Sequence, residues 1–114
     1  VVDSSILIMG LTFKENCHDL RNTRVVDMVE EFKGYNSKVD VYDPWVDKLE
    51  AQDEYGIIPI ESLNSNTYDA IILAVAHNEF KKMELEQVRK LGKSNHILYD
   101  LKYLFPKEKG DGRL

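Results

Sequence analysis

The sequence predicts a single α/β domain in three layers, a parallel sheet with helices on both faces. Three observations carry this expectation. Short apolar runs (residues 6–9, 71–75 and 97–99) alternate with segments of helical periodicity along the chain. Polar, loop-like residues follow the end of every apolar run. There is no internal repeat and no low-complexity block. Strands separated by helices pair in parallel through right-handed crossovers, so the expected architecture is Rossmann-like.

Each element follows from local chemistry. Residues 4–9 read as a buried strand, ended by Gly10. A long polar loop follows, and Asn22 or Thr23 is placed to cap a helix running to about Lys33. Val25, Val29 and Phe32 share one face of that helix with Met28 beside them, and Gly34 supplies a left-handed stop. Residues 38–42 alternate as a second strand, which Asp43-Pro44 ends with a turn. Residues 47–55 read as a short charged helix closed by Gly56. Pro59 argues against a central strand over residues 57–60, and Ser62-Leu63 is expected to begin one helical turn. Residues 68–75 make the clearest strand, apolar enough to be covered on both faces. A helical segment broken near Met83 carries Leu85, Val88 and Leu91, with Gly92 at its end, and residues 96–100 form the last strand. The tail, residues 106–114, is charged and is expected to be disordered.

Size and composition exclude several classes. At 114 residues the chain suits one domain with one core. The net charge of −5 at pH 7 argues against a general nucleic-acid binder. No apolar run approaches the roughly 20 residues of a membrane span, and no signal peptide is read at the start. The chain opens on a strand without an initiator Met, which predicts a fragment of a longer protein. Cys17 is the only cysteine, and His18, His77 and His96 are far apart, so neither disulfides nor a metal site is expected. A cytoplasmic location is the default reading.

Ligands in parallel sheets bind beyond the carboxyl ends of the strands. Four segments fall on that edge: residues 10–23, Asp43-Pro44, Ala76-His77-Asn78 and Asp100-Leu101-Lys102. The first leads from a strand into a helix N-terminus, where free backbone N–H groups and the helix dipole favour anions. It adds Lys14 and Arg21, which either bind a diphosphate as point charge and planar fork or belong to a solvated loop in which Arg21 pairs with Asp19 or Glu15. A complete dinucleotide fingerprint is absent, because Leu11 and Phe13 stand where further glycines belong. Asp40 and Asp43 are weak candidates for a ribose-binding acid. Cys17 has positive charge nearby but no partner base beyond its neighbour His18, and it reads as an ordinary loop side chain. His77 reads as a helix-cap neighbour, His96 as structural, and Trp45 as partly buried on the sheet. Lys102 follows the last strand at the ligand edge.

Taken together, the run Gly10-Leu11-Thr12-Phe13-Lys14, the later Asp19-Leu20-Arg21, Val39-Asp40-Val41-Tyr42-Asp43-Pro44, residues 69–75 and Tyr99-Asp100-Leu101-Lys102 carry a resemblance. The chain resembles the C-terminal, UDP-sugar-binding domain of the UDP-glucose/GDP-mannose dehydrogenase family. The wording around Asn16-Cys17 and Arg21-Asn22-Thr23 is most similar to the branch acting on UDP-N-acetylhexosamines for surface polysaccharides. The resemblance implies a UDP-sugar-binding domain over residues 1–105 of an enzyme that oxidises a sugar C6 alcohol to the carboxylate with two NAD. It implies substrate contacts for Phe13, Lys14 and Lys102, and an NAD-side role for Arg21. It implies that the family's glycine-rich NAD domain, catalytic Cys and dimerising central helix lie upstream of this region, so that the full-length enzyme is a homo-oligomer. Cys17 does not match the catalytic position, and Lys102 replaces an Arg seen in some relatives. The chain alone is therefore expected to be inactive. UDP-glucose and UDP-N-acetylmannosamine dehydrogenase domains, a stand-alone nucleotide-binding module of flavodoxin-like architecture, and a protein-interaction domain stand as alternatives.

Overall fold

The computed structural model describes residues 4–12, 16 and 24–101. Within them the order is β1 (Ser5–Met9), α1 (Val25–Gly34), β2 (Lys38–Tyr42), α2 (Lys48–Tyr55), β3 (Tyr68–Leu73), α3 (Asn78–Lys81), α4 (Leu85–Arg89) and β4 (Gly92–Asp100). The strands form one sheet in the order β2-β1-β3-β4, and every pairing is parallel. The predicted α/β class and single sheet are therefore observed.

The apolar run of β1 is continuous because both of its faces are covered. Ile6 and Ile8 pack with Val25 and Val29 of α1, Val41 of β2, Ala51 of α2 and Ile72 of β3. Leu7 and Met9 point the other way, into a cluster with Ile71, Leu73, Phe80 of α3, Val88 of α4 and Leu98 of β4. All four β1 side chains are fully buried. Each contributes about 2 kcal/mol relative to exposure, so the centre of the sheet is a rigid platform. Helices thus lie on both faces, as the sequence predicts.

Gly10 turns the chain off β1. Its φ is +109°, and its N–H donates to the Tyr42 carbonyl at 2.8 Å. A Cβ there would meet Val75 Cβ at 2.6 Å, so only glycine fits between β1 and the end of β3.

Several local expectations need correction. The N-cap of α1 is Arg24, which makes no side-chain capping bond, while Asn22 and Thr23 lie outside the described residues. Gly34 stays within α1, and the left-handed turn falls instead on Asn36, at φ +64°. Asn tolerates that region because its short polar side chain bonds locally. Residues 62 and 63 form no helical turn. The third strand ends at Leu73 rather than Val75. Gly92 does not close a helix but opens β4 opposite Tyr68, and the register then slips so that Ala70 pairs with Ile97. The bulge folds His96 over Gly92, where a Cβ would overlap the imidazole. The tail, residues 106–114, lies outside the described residues.

Candidate functional site

The carboxyl ends of β1, β2 and β3 meet around two buried polar residues, Asp43 and His77. Asp43 follows β2 directly. Its Oδ2 accepts the backbone N–H groups of Leu11 at 2.6 Å and Thr12 at 3.0 Å, and His77 Nε2 lies 2.9 Å away. Its Oδ1 accepts from Trp45 N at 2.7 Å, an Asx turn through Pro44. Burial pushes the Asp43 carboxyl up, but the bonds from His77, Leu11 and Thr12 outweigh it and hold its pKa below the ordinary 3.8.

His77 follows β3, and its residue exposure is 0%. Its Nδ1 accepts the Asn16 backbone N–H at 2.9 Å. A nitrogen that accepts a backbone N–H carries no proton, so the ring proton sits on Nε2 and is shared between Asp43 Oδ2 and Thr12 Oγ1, the latter at 3.2 Å. The contact with Asp43 is thus a carboxylate–imidazole hydrogen bond. Asn16 takes φ +54° and accepts the Asn78 N–H on its Oδ1 at 2.9 Å. Trp45 lies over His77 with ring centroids 6.1 Å apart, and its indole N–H donates to Glu79 at 2.9 Å. That bond holds the Glu79 carboxyl below its ordinary pKa. Trp45 is partly buried, as the sequence reading has it.

This geometry corrects the idea of free amides at the described positions of the loop; residues 13–15 and 17–23 lie outside the described residues. Gly10, Leu11, Thr12 and Asn16 all donate their N–H groups inside the protein. The Asp43 carboxylate stands where a pyrophosphate would need open amides, so the β1 turn does not fit a classical dinucleotide site. The candidate contacts Phe13, Lys14, Arg21 and Lys102 lie outside the described residues, as do Cys17 and His18.

Asp40 is corrected too. It lies at mid-strand opposite Leu7 and accepts from the Tyr68 hydroxyl at 2.7 Å. Burial, and then this bond, push the Tyr68 phenol up to about 12. His96 is structural as expected: its Nδ1 donates to the Lys93 carbonyl at 2.6 Å, and its Nε2 accepts from Arg89 at 3.0 Å.

The pairing of Asp43 with His77 was not read from sequence. The available signal was that each polar residue directly follows an apolar strand on the same edge. Among the described residues, no cluster of His, Cys, Asp and Glu suits a metal, and no helix is long and apolar enough to cross a membrane. A separate groove of about 550 Å³ lies between α1 and the β3–β4 side of the sheet, lined by Ile6, Phe32, Ile72, Ile97 and Tyr99. Among the described residues its walls include Asp69 and no Lys or Arg.

A parallel sheet with loops gathered at one carboxyl edge defines a ligand-binding α/β domain. Residues 7–107 match the UDP-glucose/GDP-mannose dehydrogenase family, UDP binding domain. The chain is 61% identical over 109 residues to the UDP-N-acetyl-D-glucosamine 6-dehydrogenase of Pseudomonas aeruginosa, covering 96% of this chain and 26% of that protein. It is 56% identical over 114 residues to the enzyme of the same name from Salmonella typhi, covering 100% of this chain and 27% of that protein. The structure of an NDP-N-acetyl-D-galactosaminuronic acid dehydrogenase from Methanosarcina mazei Go1 superposes with a TM-score of 0.81, covering 99% of this chain and 24% of that one. At 19% identity this last likeness concerns the fold alone. The chain belongs to the UDP-glucose/GDP-mannose dehydrogenase family, as its UDP binding domain. It spans about a quarter of the length of the curated relatives it matches.

Proposed function

We propose that this chain is the UDP-sugar-binding, C-terminal portion of an NAD-dependent UDP-N-acetylhexosamine 6-dehydrogenase, which oxidises the C6 alcohol to a carboxylate for polysaccharide synthesis in the cytoplasm. The observation that carries the reading is the identity of 56% and 61%, over nearly the whole chain, to two UDP-N-acetyl-D-glucosamine 6-dehydrogenases. The domain proper is residues 1–105, with residues 106–114 as a tail. Phe13, Lys14 and Lys102 contact the UDP-sugar, and Arg21 faces NAD. The β1 turn has its amides occupied, which supports a nucleotide held by cations here and an NAD held mainly by the rest of a homo-oligomeric enzyme. The chain alone then carries no activity, because the NAD site and the catalytic Cys lie elsewhere in the enzyme.

The test is steady-state kinetics of the full-length enzyme with UDP-N-acetylglucosamine, UDP-N-acetylgalactosamine and UDP-glucose, following NADH. The N-acetylated substrates should give the higher kcat/KM. Lys14→Ala should raise the sugar-nucleotide KM about tenfold, the loss of one charge-assisted contact, and Arg21→Ala should act on the NAD KM. Wild-type kinetics in both variants would refute the site assignment.

A further inference from the structure

The two faces of the sheet are covered unequally at β3 and β4. On one face Ile71, Leu73 and Leu98 are buried against Phe80 of α3 and Val88 of α4. On the other, Ala70 pairs with Ile97 and Ile72 with Tyr99, and Ile97 and Tyr99 stay 44% and 38% exposed. Met28 and Phe32 of α1 wall one side of the resulting groove of about 550 Å³, and among the described residues no other helix lines it. Its floor includes Ile6 and Ile72, both buried in the core. An apolar surface that opens straight onto a core is a contact surface, unlike a scattered exposed side chain.

The shape of the groove selects its occupant. It follows β4 from Asn95 to Leu101, about 20 Å of strand, which a helix of about 13 residues spans. Two strand spacings make it about 10 Å wide, one helix diameter. An extended peptide would lay unpaired backbone N–H and C=O groups on apolar walls, whereas a helix pairs its own. Asp69, the charged residue of the lining, is engaged by the Ser5 N–H and by Lys93. The occupant's inner stripe is therefore uncharged and apolar, at i, i+3, i+4 and i+7. Ser4, directly before β1, is itself on the groove wall, so chain joined ahead of it leaves from that wall. This chain also covers only 27% and 26% of the two 6-dehydrogenases it resembles, which leaves ample polypeptide to fill the groove. We infer that the groove seats an amphipathic helix of the same enzyme, supplied by the portion that precedes this chain and laid along β3 and β4 on the α1 face. The inference rests on the proposed function only in placing that portion ahead of this chain.

The test uses the full-length enzyme and two readouts. Hydroxyl-radical footprinting by peptide mass spectrometry needs no substitution, and each residue is compared with itself in urea-unfolded enzyme. A seated helix should slow oxidation of Ile97 at least about tenfold, whereas an open Ile97 would react within about threefold of its unfolded rate, as its exposure dictates. The slow rate supports the inference and the fast rate overturns it. The occupant is then identified by photo-crosslinking from Tyr99→p-benzoylphenylalanine. Should that variant fail to fold, Asn95→p-benzoylphenylalanine serves, because Asn95 is an exposed residue on the same lining. A cross-link within one chain, to a segment preceding residue 1 with apolar residues at helical spacing, is the expected product. A cross-link to residues 102–114, to a segment following residue 114, or to a second copy, seen as a doubled mass on a denaturing gel, overturns the inference. Turnover of UDP-N-acetylglucosamine by the same preparation separates the two levels. An open groove in an active enzyme rejects the seated helix and leaves the proposed function standing, whereas a covered groove in an inactive enzyme does the reverse.

Discussion

The two ends of this sheet use the same device in opposite surroundings. At the amino end, Asp69 of β3 accepts the Ser5 N–H of β1 at 2.8 Å and Lys93 Nζ at 3.3 Å, with 39% of its side chain exposed. At the carboxyl end, Asp43 accepts two β1-exit amides, His77 and Trp45 N, with its side chain at 0%. Both carboxyls are held below their ordinary pKa, Asp69 chiefly by the Ser5 amide, and Asp43 by His77 and the amides against the upward push of burial. Solvent replaces most of what Asp69 does, and nothing replaces Asp43. The difference teaches that the carboxyl edge is organised more tightly than strand pairing requires. Such organisation is what a site on that edge would need.

The largest expected effect breaks the comparison at Asp43. Asp43→Asn keeps the shape, but it cannot accept four donors with a single carbonyl, and its amide N–H₂ faces other donors. It should lose about 3 kcal/mol in urea unfolding, because charge-assisted bonds are lost and buried donors go unpaired. The pH dependence follows from the sign of the shift. A carboxyl whose folded pKa lies below its unfolded value stabilises the fold fully above the unfolded pKa, and that contribution disappears as pH falls through the folded value. The gap between wild type and Asp43→Asn should therefore be constant from neutral pH to about pH 5 and close below about pH 4. A gap that widens in acid would show that Asp43 is protonated in the native state.

At the other end, Asp69→Asn should cost at most about 0.5 kcal/mol, since the amide oxygen still accepts from Ser5 and an exposed pair with Lys93 is worth little. The small deficit should shrink further in high salt, which screens that pair. Equal losses at Asp43 and Asp69 would dissolve the contrast between the two edges.

The sequence was most legible where one residue decides its own environment. Ile6-Leu7-Ile8-Met9 reads as a buried strand because its consecutive side chains must all find apolar partners, and they do, on both faces of the sheet. Asp47 and Gly56 bracket α2 as their chemistry requires. Gly34 and Gly92 misled for the same kind of reason. Each reads locally as a helix stop, whereas the left-handed position falls to Asn36 and the β4 bulge claims Gly92 for tertiary reasons. The carboxyl edge was located correctly, through Asp43-Pro44 and the segment around His77. The bond between Asp43 and His77 was not legible, since 34 residues separate them and only the order β2-β1-β3 brings their strand ends together. The resemblance to a UDP-sugar dehydrogenase domain, by contrast, rests on short runs each readable in sequence order, from Gly10-Leu11-Thr12-Phe13-Lys14 to Tyr99-Asp100-Leu101-Lys102, and the family match bears it out.

The most direct measurement is a titration of the protein with UDP, followed by amide chemical shifts. Binding at the carboxyl edge predicts saturable shifts at Leu11, Thr12, Asn16, His77 and Asn78, at UDP concentrations up to about 1 mM. It predicts still signals at Ser5, Asp69 and Lys93 on the opposite edge. Shifts confined to the amino end or to the apolar groove at Ile97 and Tyr99, or a dispersed spectrum that UDP leaves unmoved, would contradict a nucleotide site at the carboxyl edge.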